Sequence, residues 1–378
     1  MLDFTSALYL GLHYPSSSLR SWQQLTTGAP AALLESAATA PIARALAELQ
    51  GCEAAVLATS TLHLSWDLFS LLTEQHVTIF MDAGVYPITR WGVQRAAMGG
   101  AQVRTFPHYD ASALKRGLAS SSSSGRRPVI VTDGFCPNCG RVAPLADYLA
   151  LARTGAGLLV ADDTQSLGIL GQSPSAAMPY GRGGGGSLRW SGIGGPEALI
   201  FSSLAKGFGV PLAVLAGSRA WIQKFKAKSL TRVHCSPPSV AALRAAQQAL
   251  ELNRKCADAL RRRLAQLVSR FQAELQALGI CTRGGRFPVQ TLVLPRHINP
   301  VVFHGDLERC GLRAVLRKAG NNAPPQVTLI LNARQTPGMI RCAAAMIADT
   351  LVAQAPASLR ALTPCRRTTA LVGDLAYE

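Results

Sequence analysis

Lys206 lies in Ala198-Leu-Ile-Phe-Ser-Ser-Leu-Ala-Lys-Gly-Phe-Gly-Val210, an apolar run readable as a buried strand that ends in two hydroxyls and then glycines. Burying a lysine charge is costly unless it is paired or neutralised. A Schiff base to an aldehyde cofactor supplies a reason, with Ser202 or Ser203 offered to the cofactor's phosphate. A solvated lysine in a loop is the competing explanation, and this stretch alone favours it. A second stretch shifts the balance. Gly157-Leu-Leu-Val-Ala-Asp162-Asp163 is an apolar strand that stops in two carboxylates. Ligands of open parallel sheets gather at the carboxyl ends of strands. An aspartate there can keep a pyridine nitrogen protonated, so that the ring draws electrons from a substrate carbon. It can also simply cap a following helix. Together the two strand ends make a coherent site for pyridoxal 5′-phosphate.

Cys136-Pro-Asn-Cys139 has the spacing of a redox or metal-binding pair. A single pair lacks a second half-site for tetrahedral zinc, and its flanks are not thioredoxin-like. No metal is expected at this pair.

The elements that must position these residues follow from the chain's patterning. A chain of 378 residues, 48% of them hydrophobic, can bury a large core and is expected to form two lobes. From Ala54 to about Gly217 short apolar strands alternate with helical segments, as in a doubly wound α/β sheet. Strands are expected at Ala54–Leu57, Val77–Met81, Val129–Thr132, Leu158–Ala161, Leu199–Phe201 and Leu212–Ala216, after a helix from Pro41 to Gln50. Ser120 to Arg127 reads as an exposed serine-rich loop. Gly171 to Gly195 is glycine-rich and reads equally as a lid or an inserted surface loop. After Pro237-Pro238 a single long helix is expected from about Ser239 to Leu278, leading into a smaller lobe with strands near Val289–Leu294 and Gln326–Leu331 and a last helix from Met339 to about Ala353. The expected organisation is an N-terminal segment (residues 1–50), a large cofactor-binding domain (51–238), and the long helix with a small α+β C-terminal domain (239–378).

Charge and cysteine usage narrow the class. The formal net charge of +17 admits a nucleic-acid or acidic-partner surface. Basic residues are spread out, however, with Arg261-Arg-Arg263 in a helical stretch and Arg366-Arg367 in the tail, and no aromatic interleaving accompanies them. A solvated basic surface fits better, one suited to an anionic thioester donor; no nucleic acid is expected. A non-catalytic basic binding protein is the remote alternative. The nine cysteines are scattered, and Met1-Leu-Asp-Phe-Thr lacks a basic segment followed by an apolar one. No apolar run approaches a membrane span, and a reducing cytoplasm is the expected location.

Five stretches, in this order, resemble the α-oxoamine synthase family of fold-type I pyridoxal phosphate enzymes, whose members include 8-amino-7-oxononanoate synthase and glycine C-acetyltransferase. They are Asp3 to Leu12, Thr132 to Leu145 ending in Ala-Pro-Leu, Asp162 to Gly171, Ser202 to Gly209 with Ala216-Gly-Ser218, and Cys235-Ser-Pro-Pro238. The likeness runs from about residue 3 to 350. It implies a large, mostly parallel, doubly wound sheet domain with a smaller α+β domain, and a homodimer. The resemblance places Lys206 in the Schiff base, Asp162 on the pyridine nitrogen, and Ser203, Ser60 and Thr61 at the phosphate. Tyr86 stands where the family stacks a histidine on the ring, and Gln165 where another histidine is usual. Pro137 replaces a serine. Thr328 replaces the arginine that grips the amino-acid carboxylate, with Arg317 and Arg334 as nearby substitutes, and His234 lies near the Pro-Pro turn. The implied reaction condenses an amino acid or related amine with the thioester of coenzyme A or an acyl carrier protein, losing carbon dioxide, in specialised biosynthesis. Transamination or other Cα chemistry is the alternative.

Overall fold

The computed structural model describes residues 1–121, 125–318 and 324–354. Part of the serine-rich loop (122–124) and the Arg366-Arg367 tail lie outside the described residues.

Seven strands form the large sheet: β1 (Ala54–Ala58), β2 (Val77–Asp82), β3 (Gln102–Phe106), β4 (Arg127–Asp133), β5 (Leu158–Asp162), β6 (Ala198–Ser203) and β7 (Ala213–Gly217). Their spatial order is β1-β7-β6-β5-β4-β2-β3. The pairings from β6 through β5, β4 and β2 to β3 are parallel, and β7 runs antiparallel to both neighbours. Successive side chains leave a strand on opposite faces. Ile130, Leu159 and Ile200 therefore enter one apolar cluster, while Val129, Val131, Val160 and Phe201 enter the other. Burial on both faces is why these strands are continuous apolar runs. The six expected strands all form: three run one residue further, two extend at both ends, and Leu212–Ala216 shifts to Ala213–Gly217. β3 escapes the pattern because Gln102 to Thr105 are exposed at the sheet edge.

Three helices matter for the site: α1 (Thr39–Gln50), α2 (Thr61–Thr73) and α3 (Pro87–Met98). α3 opens with Pro87, whose missing N–H costs nothing in a first turn. A four-stranded antiparallel sheet lies in the C-terminal part: β8 (Thr282–Arg283), β9 (Val289–Leu292), β10 (Val315–Arg317) and β11 (Gln326–Ile330), ordered β8-β9-β11-β10. The last helix is Pro337–Gln354.

Two expectations change. The single long helix is two, Val240–Lys255 and Ala257–Ala277, interrupted at Cys256 with φ −144° and ψ −9°. The break lets Asn253 and Asp258 converge on Arg261, which is 1% exposed. Arg261 donates to the Gly168 carbonyl at 2.9 Å, to Asp258 at 2.5 Å and to Asn253. A buried guanidinium is tolerable only when satisfied in this way. The Gly171–Gly195 segment is a packed insert. Gln172 pairs with Arg182, and Tyr180 is buried and donates to the Arg286 carbonyl at 2.6 Å. Its glycines permit close approach: a Cβ on Gly171 would lie 1.9 Å from the Arg182 oxygen.

Candidate active site

The carboxyl ends of the parallel strands carry chemistry at nearly every position. Asp82 ends β2, Asp133 ends β4, Asp162 ends β5 and Ser203 ends β6. The β4–β5 register sets Asp133 directly beside Asp162. A cavity of about 620 Å³ opens there, lined by Lys206, Asp162, Gln165, Tyr86, Ser203 and Thr61, together with Asp133, Arg317 and Thr328. Six of the seven residues that the resemblance places around the cofactor thus share one cavity. Ser60 is the exception: it is the N-cap of α2 and its hydroxyl turns to His63 Nδ1 at 2.7 Å.

Asp162 is 7% exposed, and burial raises its carboxyl pKa. Donation from the Thr164 amide at 2.9 Å and the Thr89 hydroxyl at 3.5 Å, and the charge of Lys206, work in the opposite direction. Burial lowers the Lys206 amine, while Asp162 and Asp133 pull it back up. Burial first, and then Asp162, push Asp133 well above the usual carboxylate range. Two carboxylates and one lysine therefore share charge in a confined space, as groups that exchange protons must.

Tyr86 is half-exposed, and the Lys206 ammonium lies 5.8 Å from its ring centroid. Its amide donates to Asp133 at 3.0 Å, which fixes the ring at the start of α3. Gln165 accepts a 2.6 Å bond from the buried Tyr9 hydroxyl, leaving its amide N–H groups to donate. The Ser203 amide donates to Thr164 Oγ1 at 3.0 Å, and its hydroxyl accepts from the Ala205 amide at 3.2 Å. Thr61 opens α2, whose N-cap side chain makes no capping bond. The first amides of that helix are thus available to an anion, with the helix dipole in favour. The donor set fits a flat ring with a basic nitrogen at Asp162, an electrophilic carbon at Lys206 and an anionic group near Thr61 and Ser203.

Thr328 is buried, and its hydroxyl lies 2.9 Å from that of Thr291. Of the two substitute arginines, Arg317 lines the cavity from β10, the strand beside Thr328, whereas Arg334 is exposed and packs its stem over Gly11. Arg317 donates to Gln326 at 2.8 Å and to Asn138, and burial lowers its pKa. Pro137 also lines the cavity, and His234 is exposed on the short helix Leu230–His234.

Several partners escaped sequence reasoning. Tyr9, Thr89 and Asp133 reach the site only through tertiary placement. His108, beyond β3, meets Cys136 and Cys139, a third member for a pair that had looked incomplete. Its pKa is pushed up to about 11 by Asp82 and the two thiols. A neighbouring cavity of about 540 Å³ shares the Phe135 wall but offers neither lysine nor carboxylate.

The family model described as aminotransferase class I and II matches residues 25–299. An 8-amino-7-oxononanoate synthase of Methylococcus capsulatus is 31% identical over 303 residues, covering 78% of this chain and 74% of its own length. A serine palmitoyltransferase from S. paucimobilis, solved with a bound PLP–myriocin aldimine, superposes with a TM-score of 0.81 at 16% identity, covering 93% of this chain and 87% of that one. An 8-amino-7-oxononanoate synthase from Francisella tularensis does so with 0.71 at 17% identity, covering 92% and 97%. At such identities these two structures speak for the fold.

Proposed function

We propose, on the premise that this chain belongs to the aminotransferase class I and II family, that it is a pyridoxal 5′-phosphate-dependent C-acyltransferase joining an amino acid to an acyl thioester. The reaction forms one carbon–carbon bond and releases the thiol and carbon dioxide, leaving an α-aminoketone. The activity named for the Methylococcus capsulatus relative supports this reading. The observation that carries it is the opening of Lys206 and Asp162 onto one cavity beside Tyr86.

When bound, pyridoxal 5′-phosphate supplies a protonated ring that delocalises negative charge from the substrate Cα. The rest falls to the chain. Lys206 would hold the cofactor's aldehyde carbon, and its Nζ is the group placed to take a Cα proton; burial favours the neutral amine this requires. Asp162 would keep the ring nitrogen protonated, Tyr86 would cover a ring face, and Gln165, oriented by Tyr9, would donate to an oxygen of the cofactor or substrate. Thr61, Ser203 and the first turn of α2 would hold the phosphate. Arg317 takes over the substrate carboxylate from the position that Thr328 leaves without a cation.

In this reading residues 51–238 are the cofactor-binding domain, and Arg317 and Thr328 of the 239–378 domain close the donor side. A homodimer is supported by exposed apolar side chains on α2 and α3, namely Leu62, Trp66 and Trp91. The test is incubation with amino acids and acyl thioesters of coenzyme A or acyl carrier protein. Free thiol and carbon dioxide appearing together support the proposal; amino transfer to a keto acid without thiol release contradicts it.

A further inference from the structure

We propose that His108, Cys136 and Cys139 bind one zinc-class divalent cation at the wall of the cofactor cavity. One ligand atom from each residue lies within 4.8 Å of the others. The two cysteines are brought together by a hairpin. Cys136 ends the strand Phe135–Cys136, and its carbonyl accepts from the Gly140 amide at 2.9 Å, turning Cys139 back toward it. Gly140 can make this turn because it has φ +69° and no side chain; a Cβ there would meet the Gly284 backbone at 2.5 Å.

The imidazole is held for ligation. Its Nδ1 lies 2.7 Å from Asp82 Oδ1, and its ring stacks on Tyr109 with centroids 3.8 Å apart. Nε2 is thereby left facing Cys139 Sγ at 3.6 Å. Asp82 has no exposed surface and is itself fixed by the amides of Gly84 at 2.7 Å and Tyr109 at 3.0 Å. A carboxylate on the far nitrogen fixes the tautomer and raises the basicity of a metal-bound imidazole. Two sulfurs and one imidazole nitrogen select zinc over magnesium or calcium, and three protein ligands leave a fourth position for water. Arg141 also reaches Cys139, but it is exposed and can turn to solvent when a cation takes its place.

The consequence is mechanical. Cys136, Pro137 and Asn138 line the cofactor cavity, and Asn138 accepts from Arg317. A cation would pin that wall to the ends of β2 and β3. The site stands on its own residues and does not depend on the acyltransfer reading.

The test uses the full chain with its cofactor, treated with chelator and titrated with cobalt(II), then zinc(II). One cobalt per chain should give tetrahedral d–d bands and a thiolate-to-cobalt charge-transfer band, both bleached by zinc. Cys139→Ser and His108→Asn should each weaken binding by about 100-fold or more, and Cys256→Ser, at an exposed cysteine outside the cluster, should not. Thermal melting reports folding; should His108→Asn fail to fold, Cys139→Ser at its exposed position carries the test. An octahedral cobalt spectrum, unchanged affinity in Cys139→Ser, or a Cys136–Cys139 disulfide in anaerobically isolated protein would overturn the proposal. Cofactor absorbance in the same samples reports on Lys206 separately.

Discussion

At Lys206 two forces oppose each other, burial favouring the neutral amine and two neighbouring carboxylates favouring the charged one. A residue balanced in this way can hold a carbonyl carbon and later accept a proton. In the proposed function Asp162 would supply the opposite need, a charge at the ring nitrogen. Asp162→Asn should bind the cofactor yet lower kcat by about 10²- to 10⁴-fold, the range of acid–base contributions, read by steady-state thiol release. Arg317→Ala should raise the KM for the amino donor by about 10- to 100-fold, as expected for losing a charged hydrogen bond, with kcat less affected. Lys206 and Asp162 were legible because each follows an apolar strand into a place where a charge needs explaining. Asp133 was quoted in its motif without a role, since only the pairing of β4 with β5 shows that it abuts Asp162. His108 was invisible for the same reason: it reaches the cysteine pair from beyond β3, a strand whose exposed residues carry no apolar signal.

Among the elements, the buried strands were the most readable, since both faces are apolar and each run is short. The helix break at Cys256 was not, because apolar spacing continues on both sides of it. What marks the break is a polar group, Asn253, Asp258 and Arg261, closed over the carbonyl of Gly168. Gly183 joins that group, donating to Asp258 at 2.9 Å and accepting from Asn253 at 2.9 Å. Arg261→Ala should therefore destabilise the protein by about 3–5 kcal/mol, because it strands buried polar partners. The exposed neighbour Arg262→Ala should change little. Denaturant melts of the two variants side by side check this. The glycine-rich insert was ambiguous in composition because glycine serves both a flexible loop and a tightly apposed backbone. The close backbone contacts of Gly171 and Gly181 decide for the second.

For the molecule as a whole, the alternation of strands and helices predicted the doubly wound sheet, and family membership agrees. No helix among the described residues is long and apolar enough to cross a membrane. Global stability should carry the signature of a further buried acid. Asp163 is unexposed, and burial pushes its pKa up to about 7, against the amide of Ser187 donating at 2.9 Å. A folded pKa above the unfolded value of 3.8 means that the native state holds the extra proton in between. Its stability contribution is complete below the unfolded value and is lost as pH rises through about 7. Asp163→Asn should flatten that decline in Tm, measured across roughly pH 4 to 8. The central claim, that Lys206 carries the cofactor opposite Asp162, is tested most directly by borohydride reduction of the holoenzyme followed by peptide mass mapping. A phosphopyridoxyl group on Lys206, absent from Lys206→Ala, is the predicted result. The same group on another lysine, or on none, would contradict it.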